Sequence, residues 1–206
     1  MAKTTSIYSV HPSVAFTANW KESLKEKTGR SLSAWLALVK ECGPAGEKER
    51  IEWLKREHSL GTYSAVWIAQ RASGKDADMD SEETYLKAAE RYVNTMFRGP
   101  YSTIRPLYDE LLKLAFSLGE DVKACPCKTM VPLYRNHVFA QIKPGTRTRV
   151  DLGFALGARK REGRLIETGG FEKKDRITHR IGVESPDQID DEVKRWLKLA
   201  YDEDVD

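Results

Sequence analysis

The feature that most limits the fold of this chain is a change of hydrophobic period near its middle. Up to about residue 118 the apolar residues recur at helical spacing, and beyond it they recur at every second position. In residues 147–154, Thr148, Val150, Leu152 and Phe154 alternate with Arg147, Arg149, Asp151 and Gly153. In residues 177–183 the alternating set is Ile177, His179, Ile181 and Val183. A period of two sends successive side chains to opposite faces, as in half-buried strands of an antiparallel sheet. The expected fold class is therefore α+β: a helical N-terminal module, then a C-terminal antiparallel sheet flanked by helices in the order α, β strands, α.

The helical half can be read in pieces. Ser31 is a good N-cap, followed by Leu32, Trp35, Leu36 and Val39, and Gly43-Pro44 ends that helix. A second helix over 46–58 buries Ile51 and Leu54 with Trp53 nearby, and a short apolar helix covers 62–72. Residues 73–76 and the acidic DADMD run over 76–80 read as a linker, with Asp80 and Glu83 as a capping pair for a helix reaching about residue 97. Gly99-Pro100 stops it. Pro106 opens another helix with the stripe Leu107, Tyr108, Leu111, Leu114, Ala115 and Leu118. Ser185-Pro186-Asp187-Gln188 opens the last one, with Ile189, Val193, Trp196, Leu197 and Ala200 on one face. The expected domains are an N-terminal tail over 1–18, a helical domain over 19–75, a linker and connecting helix over 76–98, and an α/β sheet domain over 99–206.

A hairpin is expected around Pro144-Gly145. A two-residue loop with regular pairing would set Ile142 against Arg147 and Ala140 against Arg149, which puts Val138, Ala140 and Ile142 on the charged face. An odd-numbered loop shifts the register by one and gives a single apolar face, with Gly145 supplying a positive φ.

Composition limits the class of protein. The 206 residues are 40% hydrophobic and 32% charged, the balance of a globular chain. No apolar run approaches the roughly 18 residues of a transmembrane helix, so no membrane partner is expected. Residues 1–18 carry Lys3 but no continuous apolar core, and three cysteines give no disulfide framework. A cytoplasmic protein is the expectation. Charge is uneven: residues 123–180 hold 14 basic and 5 acidic residues, whereas 181–206 hold 3 and 9. Such a division fits either a polyanion site or two solvated faces that neutralise each other.

The chemical motifs are thin. Cys125 and Cys127 with His137 supply three zinc-type ligands where a structural site takes four. Asp151, Glu172 and Lys174 can be arranged as the D…ExK pattern of metal-dependent nucleases, but the ExK part follows Gly169-Gly170 in a loop. Asp151 reads better as an ion-pair partner of Arg149 or Arg147, and His179 among apolar neighbours as a hydrogen-bonded packing residue. There is no Walker loop, no G-x-G-x-x-G and no nucleophile elbow, so neither a catalytic residue nor a cofactor is assigned. Residues 47–72 have the outline of a helix-turn-helix. Glu57 stands where that motif needs a small residue, and the second helix is too apolar to read bases. Trp20, Trp35, Trp53 and Trp67 read as core.

Lys27-Thr28-Gly29-Arg30-Ser31-Leu32 with Trp35, then Trp53-Leu54-Lys55 and Glu57-His58, resemble a small helical bacterial domain of unknown function. Residues 127–153, His179-Arg180 and the helix over 196–201 resemble a second such domain, sometimes labelled a predicted transport protein. Together the resemblances span about 15–202 and imply no catalytic residue. The order of elements is also similar to frataxin-like or double-wing DNA-binding sheets, a likeness of fold alone.

The remaining signal is a basic sheet. Arg147 and Arg149 are expected on one strand face, with Lys128, Arg135 and Lys143 from neighbouring segments and Arg159, Lys160 and Arg161 in a turn. This set is the candidate anion-binding site, with nucleic acid or another polyanion as partner. A metal-dependent hydrolase centred on Asp151 and a protein-interaction adaptor are the alternatives.

Overall fold

The computed structural model describes residues 6–75 and 77–205. The described residues divide into two compact units, one within Val10–Tyr85 and a second made of residues 6–9 with 86–205.

In the helical unit, α1 (Ser13–Thr28) buries Val14, Thr17, Trp20 and Leu24. It begins inside the stretch read as a tail, whose residues 1–5 lie outside the described residues. Helix α2 (Leu32–Cys42) is capped by Ser31, whose side chain accepts the Ala34 N–H. Helices α3 (Glu47–His58) and α4 (Thr62–Ala72) meet through Leu54, Ala65, Ile68 and Ala69, all fully buried. A 3₁₀ turn, Ala77–Met79, leads to α5 (Glu82–Met96). Within DADMD, Asp76 lies outside the described residues, and Asp80 is tied to Arg71 and Lys21 rather than capping α5. The cap is Ser81 with Thr84, each backbone N–H donating to the other's hydroxyl. The division between the units falls inside α5.

In the second unit a 3₁₀ turn (Gly99–Ile104) precedes α6 (Arg105–Phe116), whose buried stripe is Leu107, Tyr108, Leu111, Leu112 and Ala115. Six antiparallel strands follow: β1 (Lys123–Ala124), β2 (Val131–Tyr134), β3 (Val138–Thr146), β4 (Arg149–Phe154), β5 (Ile166–Glu167) and β6 (His179–Val183). Their order across the sheet is β1-β2-β3-β4-β6-β5. Tyr8 and Ser9 join this unit, Ser9 N–H donating to Ala124 O and the Tyr8 hydroxyl meeting that of Tyr108 at 3.1 Å. Helix α7 (Asp191–Asp202) begins later than the sequence suggests. Ser185 caps nothing with its side chain, Pro186–Gln188 form a 3₁₀ turn, and Asp190 is the N-cap, accepting from Glu192 and Val193 N–H. Both α6 and α7 pack on β3 and β4, over Ala140, Ile142, Val150, Leu152, Phe154, Ile181 and Val183, each fully buried.

The β3–β4 hairpin obtains its apolar face by a different device from the odd loop. Ile142 pairs with Leu152 and Ala140 with Phe154, so the apolar residues do share a face. The loop itself is the two residues Arg147 and Thr148. The register shift is a bulge at Gly145, between the pairs Pro144–Val150 and Thr146–Arg149. Gly145 is not among the positive-φ glycines.

Candidate anion-binding face

The face of β4 turned away from α6 and α7 carries Arg149, Asp151 and Gly153. Directly opposite in register stand Lys143 and Gln141 of β3 and Gly182 and Arg180 of β6. The glycines allow a close-packed layer. A Cβ on Gly182 would lie 2.5 Å from Arg149 Cδ, and one on Gly153 would lie 2.7 Å from Ile177 Cγ2. Ile177 therefore precedes β6 and lies over the polar face, instead of sharing the apolar face of His179.

Asp151, at 6% exposure, is the hub of this layer. Its Oδ1 accepts from Arg149 Nε at 2.8 Å and from Arg180 Nη1 at 3.1 Å. A buried carboxylate needs such partners, and here two cations share one. Lys143 stands opposite Asp151 in register, and both arginines keep more than a quarter of their side-chain surface in solvent. Arg147 is not on this strand face. It is exposed in the hairpin turn, where its carbonyl accepts the Thr103 hydroxyl.

The other expected cations are elsewhere. Arg135 lies before β3, whose nine residues span on the order of 30 Å to the hairpin turn. Its Nε pairs with Asp121 at 2.9 Å, and its guanidinium stacks 4.4 Å from the Tyr201 ring. The Tyr201 hydroxyl and Arg135 together hold the Asp121 carboxyl below the usual carboxylate range. Arg159 pairs with Glu203, and Lys160 and Arg161 are exposed in the loop after β4. Lys128 is exposed between β1 and β2. The acidic C-terminal segment meets the basic stretch at Arg176 with the buried Asp204 at 2.6 Å and at Arg164 with Asp190 and Glu192, while Arg195 of α7 pairs the other way, with Glu162. The opposed charge counts thus express ion pairing at both ends of α7, at Asp190 and Glu192 before and in its first turn and at Glu203 and Asp204 beyond its last.

The other motifs do not assemble. Glu172 and Lys174 line a cavity of about 680 Å³ with Leu156, Arg176 and Glu203, and Asp151 is not part of its wall. His137 approaches Asp204, at 3.3 Å, and its backbone N–H donates to the same carboxylate. Burial pushes the Cys125 thiol up to about 12, with neighbouring Cys127 adding to the rise, so it is a poor thiolate donor. Among the described residues no three His, Cys, Asp or Glu side chains converge as a metal site. His179 is 1% exposed, with Nε2 donating to Arg159 O and Nδ1 beside the Thr178 hydroxyl, so its role is packing. Arg180 is the site residue that sequence reasoning missed. The alternation in 177–183 places it opposite His179 and Ile181, but only the β4–β6 pairing brings it to Asp151.

An α+β unit with both helices on one sheet face and a charged layer on the other defines the class of protein. The chain belongs to the family described as domain of unknown function DUF5655, whose model matches residues 93–204. Residues 17–73 match a second family model, domain of unknown function DUF4287. No curated protein and no solved structure matches the chain.

Proposed function

We propose that this is a non-catalytic cytosolic protein whose polar sheet face binds an anionic partner, with nucleic acid as the first candidate. One observation carries the reading: Arg149 and Arg180 converge on one carboxylate from adjacent strands, with Lys143 beside them and Arg147 at the tip. Asp151 neutralises one of these charges and holds the two guanidinium groups in place, an arrangement suited to bridging phosphate oxygens. All three cysteines are free, in keeping with a reducing compartment.

The test is fluorescence anisotropy of labelled DNA and RNA with the full chain, in chelator, across a salt series. The polymer should bind and remain intact, and affinity should fall steeply with salt as phosphate contacts release counterions. Lys143→Ala with Arg147→Ala should weaken binding severalfold and flatten the salt slope. Lys160→Ala with Arg161→Ala, at the other end of the sheet, should change it little. No salt-dependent binding at low ionic strength would overturn the reading and leave a self-neutralised surface.

A further inference from the structure

Arg149 and Arg180 leave most of their donors unengaged. Arg149 gives only Nε to Asp151 Oδ1, at 2.8 Å, and Arg180 gives only Nη1 to the same oxygen, at 3.1 Å. Nη1 and Nη2 of Arg149 and Nε and Nη2 of Arg180 donate to no described residue. The two side chains are 29% and 28% exposed, and none of these four nitrogens is shut away from solvent.

The pair is also held in place. The Arg149 side chain runs across β6, where a Cβ on Gly182 would lie 2.5 Å from its Cδ. Asp151, at 6% exposure, is bonded by both guanidinium groups at one atom, so the two stand side by side, close enough to grip a single guest together. Two further charges flank them. Lys143 is opposite Asp151 in register, and Glu184, just beyond Val183 of β6, is exposed and forms no ion pair among the described residues. These two offset each other, which leaves the pair the one positive charge that Asp151 does not neutralise, with Arg147 of the turn as a further cation.

We infer that this pair takes a terminal phosphate, a phosphomonoester end that each guanidinium grips through its free N–H groups; the inference rests on the polar face being an anion site. A phosphomonoester presents three terminal oxygens and about 1.5 to 2 negative charges at neutral pH, whereas a phosphodiester inside a chain presents two such oxygens and one charge. Four free donor nitrogens on two planar forks match the larger set of acceptors. Lys143 and Arg147 then meet the diester backbone that leads away from that end.

Anisotropy with the full chain, in chelator, compares a labelled oligonucleotide carrying a 5′-phosphate with the same oligonucleotide ending in a 5′-hydroxyl. The phosphorylated end should bind about tenfold more tightly, and inorganic phosphate should compete for it at constant ionic strength. Arg180→Lys keeps the charge beside Asp151 and removes the fork, so it should erase this preference. Lys143→Ala with Arg147→Ala should weaken both oligonucleotides alike and preserve their ratio. Equal affinity for the two ends, or an undiminished preference in a folded Arg180→Lys variant, overturns the inference and leaves the anion reading standing. Saturable binding of inorganic phosphate in calorimetry, with neither oligonucleotide bound, supports the phosphate site as one for free phosphate or a small ester and overturns nucleic acid as its partner. Failure of all three probes to bind overturns both.

Discussion

Gly145 lies against the carboxylate of Asp151: a Cβ on the glycine would come within 2.7 Å of Asp151 Cγ. The β3 bulge brings its backbone over the ion-paired hub, and the absence of a side chain is what lets it approach. Gly145→Ala should therefore cost about 1–3 kcal/mol by overpacking, measured by urea denaturation. In an Asp151→Ser background the same change should cost clearly less, since the crowding carboxylate is gone. Strictly additive losses would show that this contact does not set the cost.

The two faces of β4 should respond differently to truncation. Leu152 is fully buried on the apolar side, and Leu152→Ala should lose about 3 kcal/mol or more. Arg147→Ala should stay within about 0.5 kcal/mol, because the turn residue is exposed and Thr103 binds its carbonyl, not its side chain. Comparable losses from the two would contradict the assignment of Arg147 to the turn.

Thiol reactivity should separate the cysteines. Cys42 is exposed and should react with a disulfide reagent in the native protein. Cys125 is buried, with its thiol pushed up to about 12, and should react only on unfolding. Burial also raises the Cys127 thiol, placing its rate between the two. Rapid native-state labelling of Cys125 would count against the described packing of β1.

His11 should make stability depend on mildly acidic pH. Burial lowers its pKa below the ordinary imidazole value of about 6.5, and its Nδ1 accepts the Ser13 N–H. Below that value the unfolded chain binds the proton more readily than the folded one, so stability falls as pH falls. The urea midpoint should drop between neutral pH and about pH 5.5, and His11→Gln should reduce that drop. An identical pH profile in the variant would remove His11 from the account.

Local pattern was legible where a face is broad. The α6 stripe from Leu107 to Ala115 and the demand that Ile142 and Leu152 share a face could both be read from spacing. Helix α1 could not, because its buried residues are the narrow series Val14, Thr17, Trp20 and Leu24, one of them polar. The start of α7 was misplaced because Ser185 and Asp190 are both competent caps. The choice falls to Asp190, which the distant Arg164 binds together with Glu192.

The sequence by itself determined the sequence of elements and the two-sided character of β4 and β6, because periods of 3.6 and 2 are properties of neighbouring residues. It also held the charge division between residues 123–180 and 181–206. Only the tertiary structure decided which charges meet. β6 lies beside β4 although β5 and a long loop intervene in sequence, so Arg180 reaches Asp151. The C-terminal segment returns to Arg159 and Arg176 at the opposite end of β4. Ion pairs act over a few ångströms in space, and separation along the chain does not specify that distance.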